Sequence, residues 1–292
     1  MKILITGSGG QLGRELVMQA RDKVLEPLAM NHADLDITRL DRTRKVIAGL
    51  TPCLVINASA YTDVDGAETH MEAAYAVNRD GPAHLASVCS AFSIPLIHIS
   101  TDFVFDGKKK TPYLESDPVS PLSVYGKSKA EGETAVRTTW RRHLIVRTSW
   151  MYSGHGHNFV KTMLNLGREK DRLSVVADQY GCPTNAADLA RAILVMAQKI
   201  IAGGEISWGT YHYCGQGTTT WHGFAEAIFS LAASYENLKI RQVKPITSDQ
   251  YPSPARRPLR SSLDCSRILD RFAVRTIPWR QSLAGVIGKI YS

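Results

Sequence analysis

The chain opens with Lys2-Ile3-Leu4-Ile5-Thr6-Gly7-Ser8-Gly9-Gly10-Gln11-Leu12-Gly13, an apolar run followed by closely spaced glycines. The apolar run predicts a short buried strand, and residues 11–20 carry apolar side chains at helical spacing. Glycines at positions 7, 10 and 13 let the backbone turn sharply and approach a pyrophosphate, which the amides of the helix N-terminus would bind. The GxxGxxG spacing is weaker evidence than the commoner GxGxxG, but its place after a first strand predicts dinucleotide binding.

Strand-like and helix-like segments alternate after this start. Apolar runs at 24–28, 53–57, 95–100 and 143–147 predict strands, and the segments 39–50, 67–92 and 124–137 predict helices between them. This alternation predicts an α/β fold with a Rossmann-type, doubly wound parallel sheet.

Beyond Trp150 the alternation is looser. Residues 159–169 and 187–201 predict helices, and residues 211–213 and 240–245 predict short strands of a smaller mixed α/β substrate lobe. We therefore expect a dinucleotide-binding Rossmann domain over residues 1–150, to which a segment at about 186–206 returns, and mainly a substrate-binding lobe over residues 151–292.

Composition excludes several classes of protein. The 292 residues are 44% hydrophobic and 21% charged, which is ordinary for a globular protein. The net charge is +8, but the basic residues are spread along the chain apart from Lys108-Lys109-Lys110. No apolar run approaches the roughly 20 residues of a membrane helix, and residues 1–7 are too short for a signal peptide. We expect a cytoplasmic monomer or weak homodimer that binds neither nucleic acid nor membrane.

The end of the second predicted strand bears on the choice of nicotinamide cofactor. An NAD site usually carries an acidic residue there for the ribose hydroxyls, whereas this chain has Asn31 and His32. Neither side chain repels a 2′-phosphate, so we expect NADPH. NADH stays possible because Asp34 and Asp36 lie close by. Asp36 either faces the adenine region or is a carboxylate at a helix N-terminus.

Three polar residues predict a reductase. Tyr125 and Lys129 stand four residues apart, which places them on one face of a helix, where the ammonium would lower the pKa of the phenol. Thr101 ends a predicted strand at the edge of the sheet where ligands of open α/β folds bind. Each feature alone has a commoner explanation, namely a chance YxxxK string or a threonine in a turn. Together with the glycine turn they favour nicotinamide-dependent reduction of a carbonyl.

Several motifs resemble the extended short-chain dehydrogenase/reductase family. The run from Thr6 to Gly13 matches the TGxxGxxG start of that family. More selective matches, typical of its nucleotide-sugar reductases, are the runs 57–62, 100–107, 147–150, 178–184 and 254–258. The resemblance implies reduction of the C4 carbonyl of a dTDP-4-dehydro-6-deoxyhexose, dTDP-4-dehydro-beta-L-rhamnose, to dTDP-L-rhamnose.

The resemblance also implies the residues of the site. The implied catalytic residues are Thr101, Tyr125 and Lys129. The implied cofactor-binding residues are Gly7, Gly10, Gln11, Leu12, Asn31, His32, Asp36, Ile37, Ala58, Ser59 and Ala60, with Tyr125 and Lys129. The implied substrate-binding residues are Thr101, Asp102, Phe103, Tyr125, Trp150, Asn158, Lys161 and Arg256. Arg256 would meet the diphosphate, Trp150 would give the sugar a flat wall, and Arg257 is expected to face solvent.

We expect no metal. Some members of the family bind magnesium between acidic side chains, one of which matches Glu15, but another falls where this chain has Ala187. One carboxylate holds a hard divalent ion poorly. His155 and His157 have HxH spacing without an evident third ligand, so we expect an exposed turn there.

Two alternatives stay open. Another nucleotide-sugar reductase or an epimerase of the same family would share Thr101, Tyr125 and Lys129, and tightly retained NAD would favour the epimerase. A related branch of the family is a non-catalytic, dinucleotide-binding regulatory subunit of methionine adenosyltransferase. The intact threonine, tyrosine and lysine set argues against that second alternative.

Overall fold

Strands and helices alternate along the first half of the chain in the structure, a computed structural model that describes residues 1–21 and 25–292. The strands of the described residues are β1 (Lys2–Thr6), β2 (Glu26–Met30), β3 (Leu54–Asn57), β4 (Leu96–Thr101), β5 (His143–Thr148), β6 (Met151–Tyr152), β7 (Arg172–Val176), β8 (Tyr180–Gly181), β9 (Thr184–Asn185), β10 (Gly209–His212), β11 (Thr219–Thr220) and β12 (Gln242–Ile246). The α-helices are α1 (Gln11–Arg21), α2 (Leu40–Leu50), α3 (Gly66–Thr69), α4 (Met71–Tyr75), α5 (Gly81–Ala91), α6 (Val124–Thr139), α7 (Phe159–Glu169), α8 (Ala186–Ile201), α9 (Trp221–Ala232), α10 (Ser266–Phe272) and α11 (Trp279–Tyr291). A π-helical turn spans Ala76–Asp80, and 3-10 turns span Asp102–Val104 and Ser248–Gln250.

The central sheet has the strand order β10-β5-β4-β3-β1-β2, and all of its pairings are parallel. The strand order reverses between β1 and β3, so the loops that follow these two strands leave towards opposite faces of the sheet. A crevice opens at such a switch point, outside the carboxyl ends of the strands. The predicted α/β class and the Rossmann-type doubly wound sheet are confirmed.

Helices cover both faces of this sheet, which explains why its strands are almost continuously apolar. Ile3 and Ile5 of β1 belong to one core layer with Leu16 of α1 and Ile193 of α8. Leu4, whose side chain points to the opposite face, belongs to a second layer with residues of α2, α5 and α6.

A separate apolar cluster forms the core of the smaller lobe. It joins Val160 of α7, Phe224 of α9 and Leu283 of α11 with Val175 of β7. The lobe also contains three two-stranded pairings: β7 with β12, β8 with β11, and β6 with β9.

Two predictions about the elements are wrong. The single helix predicted over 67–92 is divided into α3, α4, the π-helical turn and α5, because His70 has non-helical dihedral angles and Pro82 stands in the first turn of α5. The strand predicted at 211–213 belongs to the central sheet rather than to the smaller lobe, since β10 pairs with β5 at the edge of that sheet. The strand predicted at 24–28 corresponds to β2. Val24, the first residue of the predicted strand, lies outside the described residues.

Candidate active site

A cleft of about 1240 Å³ runs along the carboxyl ends of the central strands. Its walls come from the loops after β1, β2, β3, β4 and β5 and from α6. Every residue of the predicted cofactor set lines it: Gly7, Gly10, Gln11, Leu12, Asn31, His32, Asp36, Ile37, Ala58, Ser59, Ala60, Tyr125 and Lys129. The structure therefore brings this whole set to one site.

The glycine turn allows two close backbone approaches at the floor of the cleft. Gly7 has a φ of +67°, and a Cβ atom there would lie 2.6 Å from the carbonyl oxygen of Ala58. A Cβ atom on Gly13 would lie 2.1 Å from the carbonyl oxygen of Gly7. Asn57 adds a polar link, because its Oδ1 accepts hydrogen bonds from the Thr6 hydroxyl at 2.7 Å and from the Ser59 amide at 3.1 Å. The loops after β1 and β3 are thus held in contact.

The end of β2 places a carboxylate, Asp36, close to the basic residues His32 and Arg39. Burial opposes ionisation of Asp36, but hydrogen bonds from Thr38 and the nearby charges of His32 and Arg39 outweigh it and lower the pKa of this carboxyl. Thr38 donates to Asp36 Oδ1 through its amide at 3.0 Å and its hydroxyl at 2.8 Å. The Asp36 carboxylate is therefore ionised, and one of its oxygens is occupied by Thr38.

Helix α6 carries Tyr125 and Lys129 into the cleft, where they meet Thr101 at the end of β4. The helix begins after Ser123, whose hydroxyl accepts the Gly126 amide at 3.1 Å. Lys129 is 2% exposed. Its ammonium donates to the carbonyl oxygen of Ile99 at 2.7 Å, which fixes the charge against β4.

The predicted lowering of the Tyr125 pKa by Lys129 is wrong. Loss of water around the phenol raises the pKa of Tyr125 to about 12, and the nearby Thr101 hydroxyl only partly opposes the rise. Burial also lowers the pKa of Lys129 to about 8, although the charge of Glu133 opposes this. The phenol therefore keeps its proton at neutral pH, which is the state that a proton donor needs.

Two stacked indoles form one wall of the cleft. Trp150 and Trp221 lie with ring centroids 3.6 Å apart and planes 6° apart. Trp150 has a φ of +47°, and Gly181 packs so closely against its ring that a Cβ atom would lie 2.4 Å away. Trp221 was not predicted, because nothing in its local sequence connects it with Trp150. The predicted residues Asp102, Phe103 and Asn158 line the same cleft.

Asn158 links the smaller lobe to the glycine turn. Its Oδ1 accepts the Lys161 amide at 3.2 Å, which caps α7, and its side-chain amide donates to Gln11 Oε1 at 3.0 Å. The Lys161 side chain does not line this cleft, and it does not line the second cleft described in the next paragraph. The structure therefore places the backbone of Lys161 beside Asn158 but does not bring the Lys161 side chain into a cleft with the other predicted substrate residues.

A second cleft, of about 1050 Å³, adjoins the first and shares Trp221 and Arg257 with it. Arg256 is exposed and lines only the second cleft. Three further cations line the second cleft: Lys108, Lys110 and Arg260. This concentration of cations suits an anionic ligand.

The prediction that Arg257 faces solvent is wrong. Its two Nη atoms donate to the two carboxylate oxygens of Asp65, at 3.1 and 2.7 Å. This guanidinium lowers the pKa of Asp65 to about 2. The proline-rich loop at 252–258 is thus tied to the N-terminus of α3.

In the described part of the chain, no group of three His, Cys, Asp or Glu side chains could hold a metal ion. Glu15 instead receives Gln19 Nε2 at 3.3 Å and lies 3.6 Å from His155 Nε2. Across residues 1–21 and 25–292, no helix combines the length and the apolar character that crossing a membrane requires.

Comparison with known proteins agrees with this geometry. The RmlD substrate binding domain model matches residues 1–292. The dTDP-4-dehydrorhamnose reductase of Aggregatibacter actinomycetemcomitans is 42% identical over 98% of both chains. The crystal structure of a dTDP-4-dehydrorhamnose reductase from Clostridium acetobutylicum ATCC 824 superposes with a TM-score of 0.92, at 41% identity and full coverage of both chains. That of dTDP-4-dehydrorhamnose reductase from Bacillus anthracis str. Ames in complex with NADP superposes with a TM-score of 0.89, at 35% identity and 99% coverage of both. The predicted family is therefore confirmed, and the chain belongs to the RmlD substrate binding domain family.

Proposed function

We propose that this chain is an NADPH-dependent oxidoreductase that reduces the C4 carbonyl of dTDP-4-dehydro-beta-L-rhamnose to give dTDP-L-rhamnose. One observation carries the proposal: Thr101, Tyr125 and Lys129 meet in the cleft that the glycine turn lines, beside a second cleft rich in cations. The names of the relatives and the NADP complex of the Bacillus anthracis protein support the same reaction.

The residues of the first cleft fit a dinucleotide. Gly7 and Gly13 lack the Cβ atoms that would block the approach of the turn, and the N-terminus of α1 follows directly. Asn31 and His32 stand where an acidic residue would repel a 2′-phosphate, which favours NADPH over NADH. When bound, the nicotinamide supplies the hydride.

Tyr125 supplies the proton. Its phenol donates to the carbonyl oxygen while hydride reaches C4, so that one hydride and one proton convert the ketone to the alcohol. Although the pKa of Tyr125 is about 12, the oxygen that hydride addition creates is a stronger base than phenolate. Thr101 donates a second hydrogen bond to the same oxygen as negative charge develops on it. Lys129 holds the nicotinamide ribose, and solvent returns the proton to Tyr125.

The second cleft holds the rest of the substrate. The guanidinium of Arg256 can bind two diphosphate oxygens at once, and Trp150 offers the sugar a flat surface. Asp102, Phe103 and Asn158 complete the sugar site, with Lys161 as an outer residue. On this proposal residues 1–150 bind mainly the cofactor and residues 151–292 mainly the substrate, while the segment at about 186–206 supports the first unit.

The test follows the absorbance of NADPH and NADH with freshly generated dTDP-4-dehydro-beta-L-rhamnose. We expect turnover with wild type, faster with NADPH, and a kcat that is lower by roughly 10²–10⁴-fold in Tyr125→Phe. NADPH binding, measured by fluorescence, should persist in that variant. Tyr235→Phe, at a tyrosine that is 54% exposed, is the matched control and should behave as wild type.

Other outcomes favour the alternatives. Wild type that binds both cofactors without turnover would favour the regulatory subunit of methionine adenosyltransferase. Tightly retained NAD with interconversion of a nucleotide sugar would favour an epimerase. The cytoplasmic location, the monomer or weak homodimer, and the absence of nucleic-acid, membrane and metal binding stay predictions.

A further inference from the structure

Thr101 has a single O–H group, and in the structure that group is directed at a neighbouring carboxylate. The hydroxyl donates to Asp102 Oδ1 at 3.1 Å and accepts the amide of Phe103 at 3.2 Å. Reduction of a carbonyl requires hydrogen-bond donors at its oxygen, because that oxygen becomes negative. With the hydroxyl directed at a carboxylate, Thr101 offers the cleft only a lone pair.

The Asp102 side chain is also incompletely bonded. It is 1% exposed, lines the cleft, and its Oδ2 is buried with no hydrogen-bond partner. An ionised carboxylate oxygen in that position loses its water without compensation, which favours the neutral acid. Burial accordingly raises the pKa of Asp102 to about 7, while hydrogen bonds from Ser261 and Thr101 oppose the rise.

We propose that Asp102 is a positioning residue whose neutral carboxyl group donates to Thr101 and thereby frees the Thr101 hydroxyl to donate to the carbonyl oxygen of the substrate. The proposal rests on the proposed reductase function. In this arrangement the Thr101 oxygen accepts from the Phe103 amide and from Asp102, so that both of its lone pairs are used and its proton points into the cleft. Ionisation of Asp102 reverses the bond and removes one of the two donors to the reacting oxygen.

Two titratable groups interact with this carboxyl group, and a third lines the same cleft. The phenol of Tyr125, on α6, has a pKa of about 12 and keeps its proton through the neutral range. The thiol of Cys182, between β8 and β9, acts on the charge of Asp102. Lys129, buried on α6, has a pKa of about 8 and loses its own charge above that pH.

The test is the pH dependence of kcat and KM between about pH 5.5 and 9. In wild type we expect kcat to decline above about pH 7, where Asp102 ionises. In Asp102→Asn the amide NH₂ replaces the acid O–H as a permanent donor to Thr101. We expect kcat at low pH to fall by no more than about tenfold in this variant, and the decline to begin about one pH unit higher, where Lys129 loses its proton. Asp102→Leu neither donates nor accepts, so it cannot capture the Thr101 hydroxyl, and its kcat should also lack the decline near pH 7.

Two controls keep the proposal testable. Cys182→Ser should keep the decline, but the decline should begin at a lower pH than in wild type, because the charge of Cys182 raises the pKa of Asp102. NADPH binding by fluorescence should be unchanged in both Asp102 variants, which reports that they fold. A decline in Asp102→Asn at the same pH as in wild type would overturn the proposal. So would a raised KM with unchanged kcat and profile, because Asp102 would then only hold the sugar. Wild type inactive at every pH would instead overturn the proposed function.

Discussion

Arg147 and Glu133 form a buried ion pair beneath the helix that carries Tyr125 and Lys129. The guanidinium donates to both carboxylate oxygens, at 2.8 and 2.6 Å, and the two side chains are 2% and 1% exposed. Glu133 lies one turn after Lys129 on α6, and Arg147 lies on β5. The pair therefore fixes α6 against the sheet one turn beyond Lys129.

Removing one partner of this pair should be costly. Glu133→Gln leaves the Arg147 charge buried without a counter-ion, and we expect the free energy of unfolding to fall by about 3–5 kcal/mol. Urea denaturation measures the change. Arg137→Gln is the matched control, because Arg137 contacts the same carboxylate at 3.4 Å from an exposed position and should cost less than about 1 kcal/mol. Equal losses in the two variants would contradict the importance of burial.

Lys129 should reduce stability while it supports activity. Its pKa is about 8 in the folded protein, against about 10.4 in an unfolded chain, so the unfolded chain binds the proton more tightly. The cost of the buried ammonium is complete below about pH 8 and disappears as the pH rises past about 10.4. Lys129→Met should therefore abolish reduction yet raise the free energy of unfolding by roughly 1–3 kcal/mol near pH 7.

The measurement for Lys129→Met is denaturant unfolding at several pH values. The gain in stability should shrink as the pH approaches about 10. Lys127→Met, at an exposed position on the same helix, should show no such trend. A gain that does not depend on pH would point to packing rather than to the buried charge.

Gly181 should control the position of Trp150. A Cβ atom at Gly181 would lie 2.4 Å from the Trp150 ring, so Gly181→Ala should displace the indole stack and raise KM for the nucleotide sugar about tenfold or more. Gly154→Ala is the control, since nothing lies within 4 Å of its Cβ position. Steady-state kinetics at fixed NADPH gives both values. An unchanged KM in Gly181→Ala would show that the stack does not hold the sugar.

Gly13 should be required for cofactor binding. In Gly13→Ala the new methyl group would lie 2.1 Å from the carbonyl oxygen of Gly7, so the turn must open and NADPH affinity should fall by at least about tenfold. Gly49→Ala makes the same change inside α2, where nothing lies within 4 Å, and should leave affinity unchanged. NADPH fluorescence titration measures both variants. If both variants bound NADPH with the same affinity, the glycine turn would not be part of the cofactor site.

Local pattern predicted much of the fold. The strands predicted at 2–6, 53–57, 95–100 and 143–147 match β1, β3, β4 and β5 to within one residue at each end. These strands are covered by helices on both faces. Because the side chains on both faces are buried, the strands are recognisable in the sequence as short apolar runs. The gathering of Thr101, Tyr125 and Lys129 was predictable for a similar reason, since carboxyl ends of parallel strands meet at one edge and a spacing of four shares one helical face.

The sequence by itself determined the alternation of strands and helices, the glycine turn and the reactive residue types, because these depend on neighbours a few positions apart. Only the tertiary structure decided that β10 joins β5, that Trp221 stacks on Trp150 and that Arg257 pairs with Asp65. It also decided the direction of the Tyr125 pKa, since desolvation depends on everything that surrounds the phenol. Contacts between residues far apart in the chain follow from how layers pack, and no local spacing encodes that packing.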